Sequence, residues 1–226
     1  MSHLKSLCAP RTWHIGRKEK KYIAKSSPGT HPQDLSMPLV VVMRDVLGMS
    51  KTRYELKKVL RQKEVRIDGK RVLNERFPVG LFDVLSMESQ NYRIIINSKG
   101  RVQPVPISAH EANIKICKVK SKQIIRGGKT QITLHDGTTL TTNESLHVGD
   151  SVVLQLPQRT ISKVLTPAKG SLIYLMKGRH TGTVGKLLEI KEESAVYSVD
   201  DTQEATPKKY LVVVGDENPL VSLGEK

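Results

Sequence analysis

The sequence predicts an α+β protein, mostly β, in which two short helices and a hairpin precede two small β-domains. Three observations carry that prediction. Apolar residues recur at helical spacing over 39–47 and again over 56–60. Asp-Gly, Gly-Gly and Gly-Asp pairs then punctuate alternating stretches at hairpin intervals. Apolar residues make up 38% of the chain and aromatics 4%, so its cores rest on Val, Ile and Leu. With 226 residues, two or three modules fit better than one.

Residues 1–36 read as a basic extension. Pro10, Pro28, Gly29 and Pro32 break it, and Arg11, Arg17, Lys18, Lys20 and Lys21 charge it. So little apolar surface does not offset the entropy of ordering, so the segment is expected to be disordered alone and to order on a phosphate surface. Trp13 is either a packed anchor or a stacking platform, with the anchor favoured.

The next domain is placed at 37–106. Ser36 can cap a first helix with Pro38 in its first turn. Leu39, Val42, Met43, Val46 and Leu47 form its apolar stripe, although the run Val40–Val42 also suits a strand. Gly48 fits just past its end. Ser50 can cap a second helix over about 51–62, with Leu56, Val59 and Leu60 inward. Arg53, Lys57 and Arg61, four apart, make a cationic ribbon flanked by Lys51, Lys58 and Lys63. Around Asp68-Gly69 the alternation of residues 65–72 predicts a tight hairpin, because both turn positions need positive φ. Arg66, Lys70 and Arg71 extend the basic surface onto it. Phe77, Val79, Leu81, Phe82, Val84 and Leu85 read as core, and 92–96 and 102–107 as strands, the latter a Pro-limited edge.

Residues 107–168 predict a central barrel-like β-domain. Strands are expected at 114–120, 131–134, 138–142 and 151–156. Alternation in the first leaves both faces mixed, so its inner side is undetermined. Residues 169–226 predict a second small barrel, SH3-like, with a Gly-rich turn from Gly178 to Gly185. Lys177, Arg179 and Lys186 flank that turn, and glycine there permits close approach to a backbone or a phosphate.

Charge decides the partner class. The chain holds 37 Lys+Arg against 22 Asp+Glu, a formal charge of +15. Residues 1–37 carry seven basic and two acidic side chains, 38–106 fourteen and seven, 107–166 eight and four, and 167–226 eight and nine. A polycation over two-thirds of its length predicts a polyanion partner. Nucleic acid is favoured over an anionic membrane surface, since no amphipathic basic helix ends in Trp or Phe, and no apolar run nears the roughly 18 residues of a membrane span. Cys8 and Cys117 make no disulfide framework, which fits a reduced, cytoplasmic compartment.

Catalytic and cofactor chemistry finds no footing. Gly128-Lys129-Thr130 resembles the end of a phosphate-binding loop, but Gln123 stands where that motif needs glycine and a strand follows instead of a helix. His3, Cys8 and His14 lack zinc-ligand spacing. No metal, cofactor or small-molecule substrate is expected, and the chain is not expected to be an enzyme.

Three motifs in order carry a family resemblance. The helix, basic helix and Asp-Gly hairpin over 37–87 resemble the S4-type RNA-binding domain. Gly178-x-His180-x-Gly182-x-x-Gly185, followed by 187–190, resembles a KOW motif. His3-Leu4-Lys5, Ala9-Pro10, Trp13 and Arg17-Lys18-Glu19, with Pro78-Val79-Gly80-Leu81-Phe82-Asp83-Val84, resemble the S4e family of small ribosomal subunit proteins. The shorter C-terminus is similar to the archaeal type. The resemblance implies a ribosomal RNA-binding constituent of the small subunit, lying beside other small-subunit proteins in the cytoplasm. It places RNA contacts on Arg53, Lys57, Lys58, Arg61, Arg66, Lys70 and Arg71, with Arg44, Lys51 and Lys63 added. The N-terminal cations and the Lys177–Lys186 loop extend the set. Two other classes compete. An RNA-modifying enzyme would need a catalytic Asp in a larger domain, and a transient KOW-containing factor would leave the ribosome in high salt.

Overall fold

The computed structural model describes residues 3–88, 90–142, 144–199 and 202–224. It is mostly β, with few helices, and divides into two compact units. Residues from Ile114 onward, together with 97–99, form the second; the remainder form the first.

The first unit begins with the strands β1 (Leu4–Lys5) and β2 (Tyr22–Ile23), paired antiparallel. The N-terminal segment packs as part of this unit through Trp13. That indole is 2% exposed and donates from Nε1 to the Ser36 carbonyl at 2.7 Å. Trp13 is therefore the anchor, and a buried ring of this size supplies the apolar surface that the segment's composition lacks.

The first predicted helix is present as helical turns over 39–46, but it changes type along its length and takes no cap from Ser36. Ser36 lies in β3 (Ser36–Pro38), which pairs with β6 (Pro78–Gly80), and its hydroxyl donates to the Pro32 carbonyl. Pro38 is the N-cap of α1 (Leu39–Val41), which passes into a π-turn over Val42–Val46. Leu39 through Met43 are all fully buried, so no polar face separates from an apolar one. Gly48 ends the segment at φ +64°. The second helix, α2 (Arg53–Gln62), is capped by Thr52 and not by Ser50. Thr52 Oγ1 accepts from the Glu55 N–H at 3.2 Å, and Glu55 reaches back to the Thr52 N–H at 3.3 Å. This reciprocal box satisfies two of the helix's orphan donors.

Strands β4 (Val65–Ile67) and β5 (Lys70–Arg71) close the predicted hairpin, with Asp68 at φ 50° and Gly69 at φ 76°. With β7 (Val84–Met87), β8 (Gln90–Ile96) and β9 (Val102–Ile107) they form a sheet in the order β5-β4-β7-β8-β9. The Pro-containing β9 lies on its edge, as expected.

The second unit holds two five-stranded antiparallel sheets. One comprises β10 (Ile114–Ile124), β11 (Thr130–Leu134), β12 (Thr139–Thr142), β13 (Ser151–Gln155) and β14 (Thr160–Leu165), ordered β12-β11-β10-β13-β14. The other comprises β15 (Leu172–Leu175), β16 (Val184–Ile190), β17 (Ser194–Val199), β18 (Thr202–Pro207) and β19 (Leu211–Gly215), ordered β18-β17-β16-β15-β19. The mixed alternation of β10 now has its cause. Cys117 and Val119 enter a core with Ile132, Leu134, Leu146, Val152 and Leu154. From the other face, Lys118 Nζ donates to the Lys208 and Leu211 carbonyls at 2.5 and 2.8 Å. Both faces are covered, so no polar side marks the strand.

Candidate nucleic-acid interface

Helix α2 sets the site. Leu56 and Leu60 are fully buried, which turns Tyr54, Lys58 and Arg61 outward. Arg71 donates from Nη2 to the Arg61 carbonyl at 3.2 Å and so ties the hairpin to the helix end. That bond brings Arg61 and Arg71 together, and the β4–β5 register sets Arg66 opposite Arg71 and Lys70 opposite Ile67. Lys51, Lys58, Arg61, Lys70 and Arg71 are exposed.

The predicted ribbon is split by acids. Arg53 and Lys57 converge on Glu75, Arg53 through Nε at 3.1 Å and also through Nη2, and Lys57 Nζ at 3.8 Å. Burial pushes the Glu75 carboxyl up, but the Arg53 guanidinium and the Lys57 ammonium hold it below its ordinary range. Arg53 and Lys57 thus brace α2 against the following chain while staying half exposed. Lys63 lies 3.2 Å from Glu88 and Arg66 2.7 Å from Glu64, and all four of these side chains are open to solvent. Such exposed pairs are worth at most about 1 kcal/mol, so a phosphate can displace the carboxylate.

Arg44 stands apart. Its guanidinium is bidentate to Asp45, at 2.9 and 2.7 Å, and that bond raises its pKa. Arg17 is also occupied: it donates to the Ala9 and Pro10 carbonyls at 2.8 and 2.6 Å and fastens the N-terminal loop. Arg11, Lys18, Lys20 and Lys21 are exposed, with the Lys21 ammonium 5.6 Å from the Tyr22 ring. A cleft of about 620 Å³ lies between this segment and the π-turn, lined by His14, Lys20, Tyr22, Arg44 and Arg101 among others.

In the second unit, Lys177 is half-buried, Arg179 lies 3.4 Å from Glu204, and Lys186 is exposed. The glycines of this loop have packing and turning roles. A Cβ on Gly185 would sit 2.8 Å from the Ser198 carbonyl oxygen, so Gly185 lets β16 and β17 close. Gly178 and Gly182 take positive φ.

Two side chains at these surfaces escaped the sequence reading. Tyr54 is 80% exposed on α2, four residues before Lys58. Its helical position, opposite Leu56 and Leu60, was the available signal. Arg101 joins the cleft only through the fold. The 14 basic residues of 38–106 are also not all surface charge. Arg93 is buried and donates to the Glu111 carbonyl at 2.9 Å; desolvation lowers its pKa to about 10.

Comparison with known proteins covers nearly the whole chain. Residues 2–34 match the RS4NT (NUC023) domain, 37–85 the S4 domain and 88–161 the ribosomal family S4e. The small ribosomal subunit protein eS4 of Methanocella arvoryzae is 40% identical over 228 residues, covering 97% of each chain. Its counterpart from Methanocaldococcus jannaschii is 34% identical over 239 residues, covering 98% of this chain and 97% of the relative. The crystal structure of the 30S ribosomal protein S4e from Thermoplasma acidophilum superposes with a TM-score of 0.72 at 29% identity, over 84% of this chain and all of that one.

Proposed function

The chain belongs to the S4e family of ribosomal proteins, and on that footing we propose how it holds its RNA. It is a constituent of the small ribosomal subunit that binds ribosomal RNA. Its family is one of structural ribosomal proteins and not of enzymes. The four segments 1–36, 37–106, 107–168 and 169–226 serve as extension, S4-type domain, central barrel and SH3-like KOW barrel. Ribosomal RNA and neighbouring small-subunit proteins are its partners, in the cytoplasm.

The observation that carries this reading is the exposed cluster of Lys58, Arg61, Lys70 and Arg71 at the junction of α2 and the hairpin. These side chains take phosphates and release condensed counterions. Lys51, Lys63 and Arg66 join at the margin, the last two by exchanging Glu88 and Glu64 for phosphate. Arg53 and Lys57 hold the surface through Glu75 and contact RNA with their exposed edges. Arg11, Lys18, Lys20 and Lys21 extend the contact along the N-terminal segment. Selection rests on RNA shape, since no base-reading pattern is arranged here.

Filter binding to small-subunit ribosomal RNA over a salt series tests it. With about six phosphates engaged, log K falls against log salt with a slope near −4. Lys58→Glu with Arg61→Glu and Lys70→Glu flattens that slope by about 2 and weakens binding by at least tenfold. Wild-type affinity at the triple variant would place the contact elsewhere.

A further inference from the structure

The hairpin joining β10 and β11 runs beyond its own core. Strand β10 is 11 residues long, and from Lys122 to Ile124 it is exposed while still paired to β11, with Lys122 opposite Ile132 and Ile124 opposite Thr130. The register shifts between Val119 and Ser121, which makes Lys120 the bulged residue. That shift keeps Lys122 and Ile124 on the face that carries Val119, so the core face continues into solvent as one lysine and one isoleucine. Ile124 is 77% exposed.

Charge on this arm is of one sign. No Asp or Glu occurs between Glu111 and Asp136. Lys120, Lys122, Arg126 and Lys129 are exposed, and among the described residues none of them meets an acid. The cations of α2 differ: Arg53 and Lys57 already face the Glu75 carboxylate. At the tip, Gly127 and Gly128 have φ of 88° and 74°, and a Cβ on either would meet nothing within 4 Å. The turn is slim and open on all sides. The hydrogen bond from the Ile125 N–H to the Lys129 carbonyl, at 2.9 Å, holds it closed.

We propose that the β10–β11 arm is a second RNA-binding element, in which Lys120, Lys122, Arg126 and Lys129 engage phosphates and Ile124 packs against a ribose or an unstacked base. A surface for an acidic protein would need only the charge. The single sign, the slim tip and the one apolar side chain set among cations fit a phosphate backbone with sugar faces between the charges. The inference rests on the ribosomal RNA reading above and extends it to the second unit.

The test uses the full chain and a small-subunit ribosomal RNA transcript. Lys122→Gln with Arg126→Gln and Lys129→Gln should leave the melting curve unchanged, because all three side chains are exposed. This variant is expected to flatten the salt slope by about 2 and weaken binding roughly tenfold to a hundredfold at 0.1 M salt. A radical-generating chelate on Gln123→Cys, with the exposed Cys8 changed to Ser, is expected to cut the RNA at discrete sites. Wild-type slope together with no cleavage overturns the inference and leaves the α2 reading standing. Failure of the wild-type chain to bind the transcript overturns both. An unchanged slope, with Ile124→Ser losing a neighbouring protein from reconstituted subunits, assigns the arm to protein instead and also overturns it.

Discussion

Buried charge in the second unit works through two lysines, Lys115 and Lys118, on a strand whose mixed alternation leaves its inner side unmarked. Lys115 Nζ lies 2.8 Å from Asp136 Oδ2, and both side chains are almost fully enclosed. Burial works to raise the Asp136 carboxyl, but the Lys115 ammonium, helped by the Thr138 N–H at 2.9 Å, holds it well below the usual carboxylate range. A depressed folded pKa contributes stability that is present above the unfolded value, about 3.9, and lost as pH falls through the folded one. Asp136→Ala at neutral pH should cost about 3–5 kcal/mol, since it strands a buried ammonium. Lys115→Met with Asp136→Leu should recover most of that loss in a denaturant titration; no recovery would mean the pair is not the cause. Lys118 behaves in the opposite sense. Desolvation lowers its pKa to about 8. Between that value and its unfolded value near 10.4, the unfolded chain binds the extra proton, so stability rises with pH. The wild type should therefore gain in melting temperature relative to Lys118→Met as pH goes from 8 to 10. A constant difference between the two would contradict the assignment.

Elements were legible where one face was wet. α2 shows its period because Leu56 and Leu60 are buried beneath an exposed cationic face, and the Asp68-Gly69 turn shows itself because both residues need positive φ. The helix over 39–47 is present as helical turns over 39–46 ending before Gly48, but its α-to-π change was not legible, because Leu39 to Met43 are buried on every side and no polar face opposes the stripe. Both helix starts differ from the expected caps: Ser36 is committed to β3, and α2 begins from the reciprocal Thr52–Glu55 pair instead of Ser50. Thr52→Ala should cost about 1 kcal/mol, read as a lower denaturant midpoint at constant m, with Thr52→Ser largely restoring it. An unmoved midpoint would show that the box does not hold the helix start. The basic site was legible in its residue types and not in its pairing. Spacing placed Arg53, Lys57 and Arg61 in one ribbon, but Glu75 comes from beyond the hairpin and takes two of them.

Across the whole molecule, the formal charge of +15 is divided between three uses. Some cations are interior fasteners, as Arg93, Lys115 and Lys118 are. Some are braces, Arg17 on backbone carbonyls and Arg44 and Arg53 half-neutralised by Asp45 and Glu75. The rest stand open at the α2–hairpin junction, on the N-terminal segment and along the β10–β11 arm. On the proposed reading, this last group exchanges counterions for phosphate most readily, and the exposed paired cations of α2 and the hairpin join it by giving up their carboxylates. The Gly-rich loop at 178–185 contributes turn geometry and strand packing, with Arg179 exposed within it and Lys186 exposed just after it. On the proposed reading, a chain built this way is expected to stay on its RNA through many phosphate contacts held in one shape, unlike a factor that docks and leaves. The most direct test is sedimentation of small ribosomal subunits through a gradient at high salt, followed by quantification of this protein. It should remain at one copy per subunit where transient factors are stripped, and the combined α2 and hairpin charge-reversal variant should be absent from the same fraction. Loss of the wild-type protein from the subunit under those conditions would contradict a structural role.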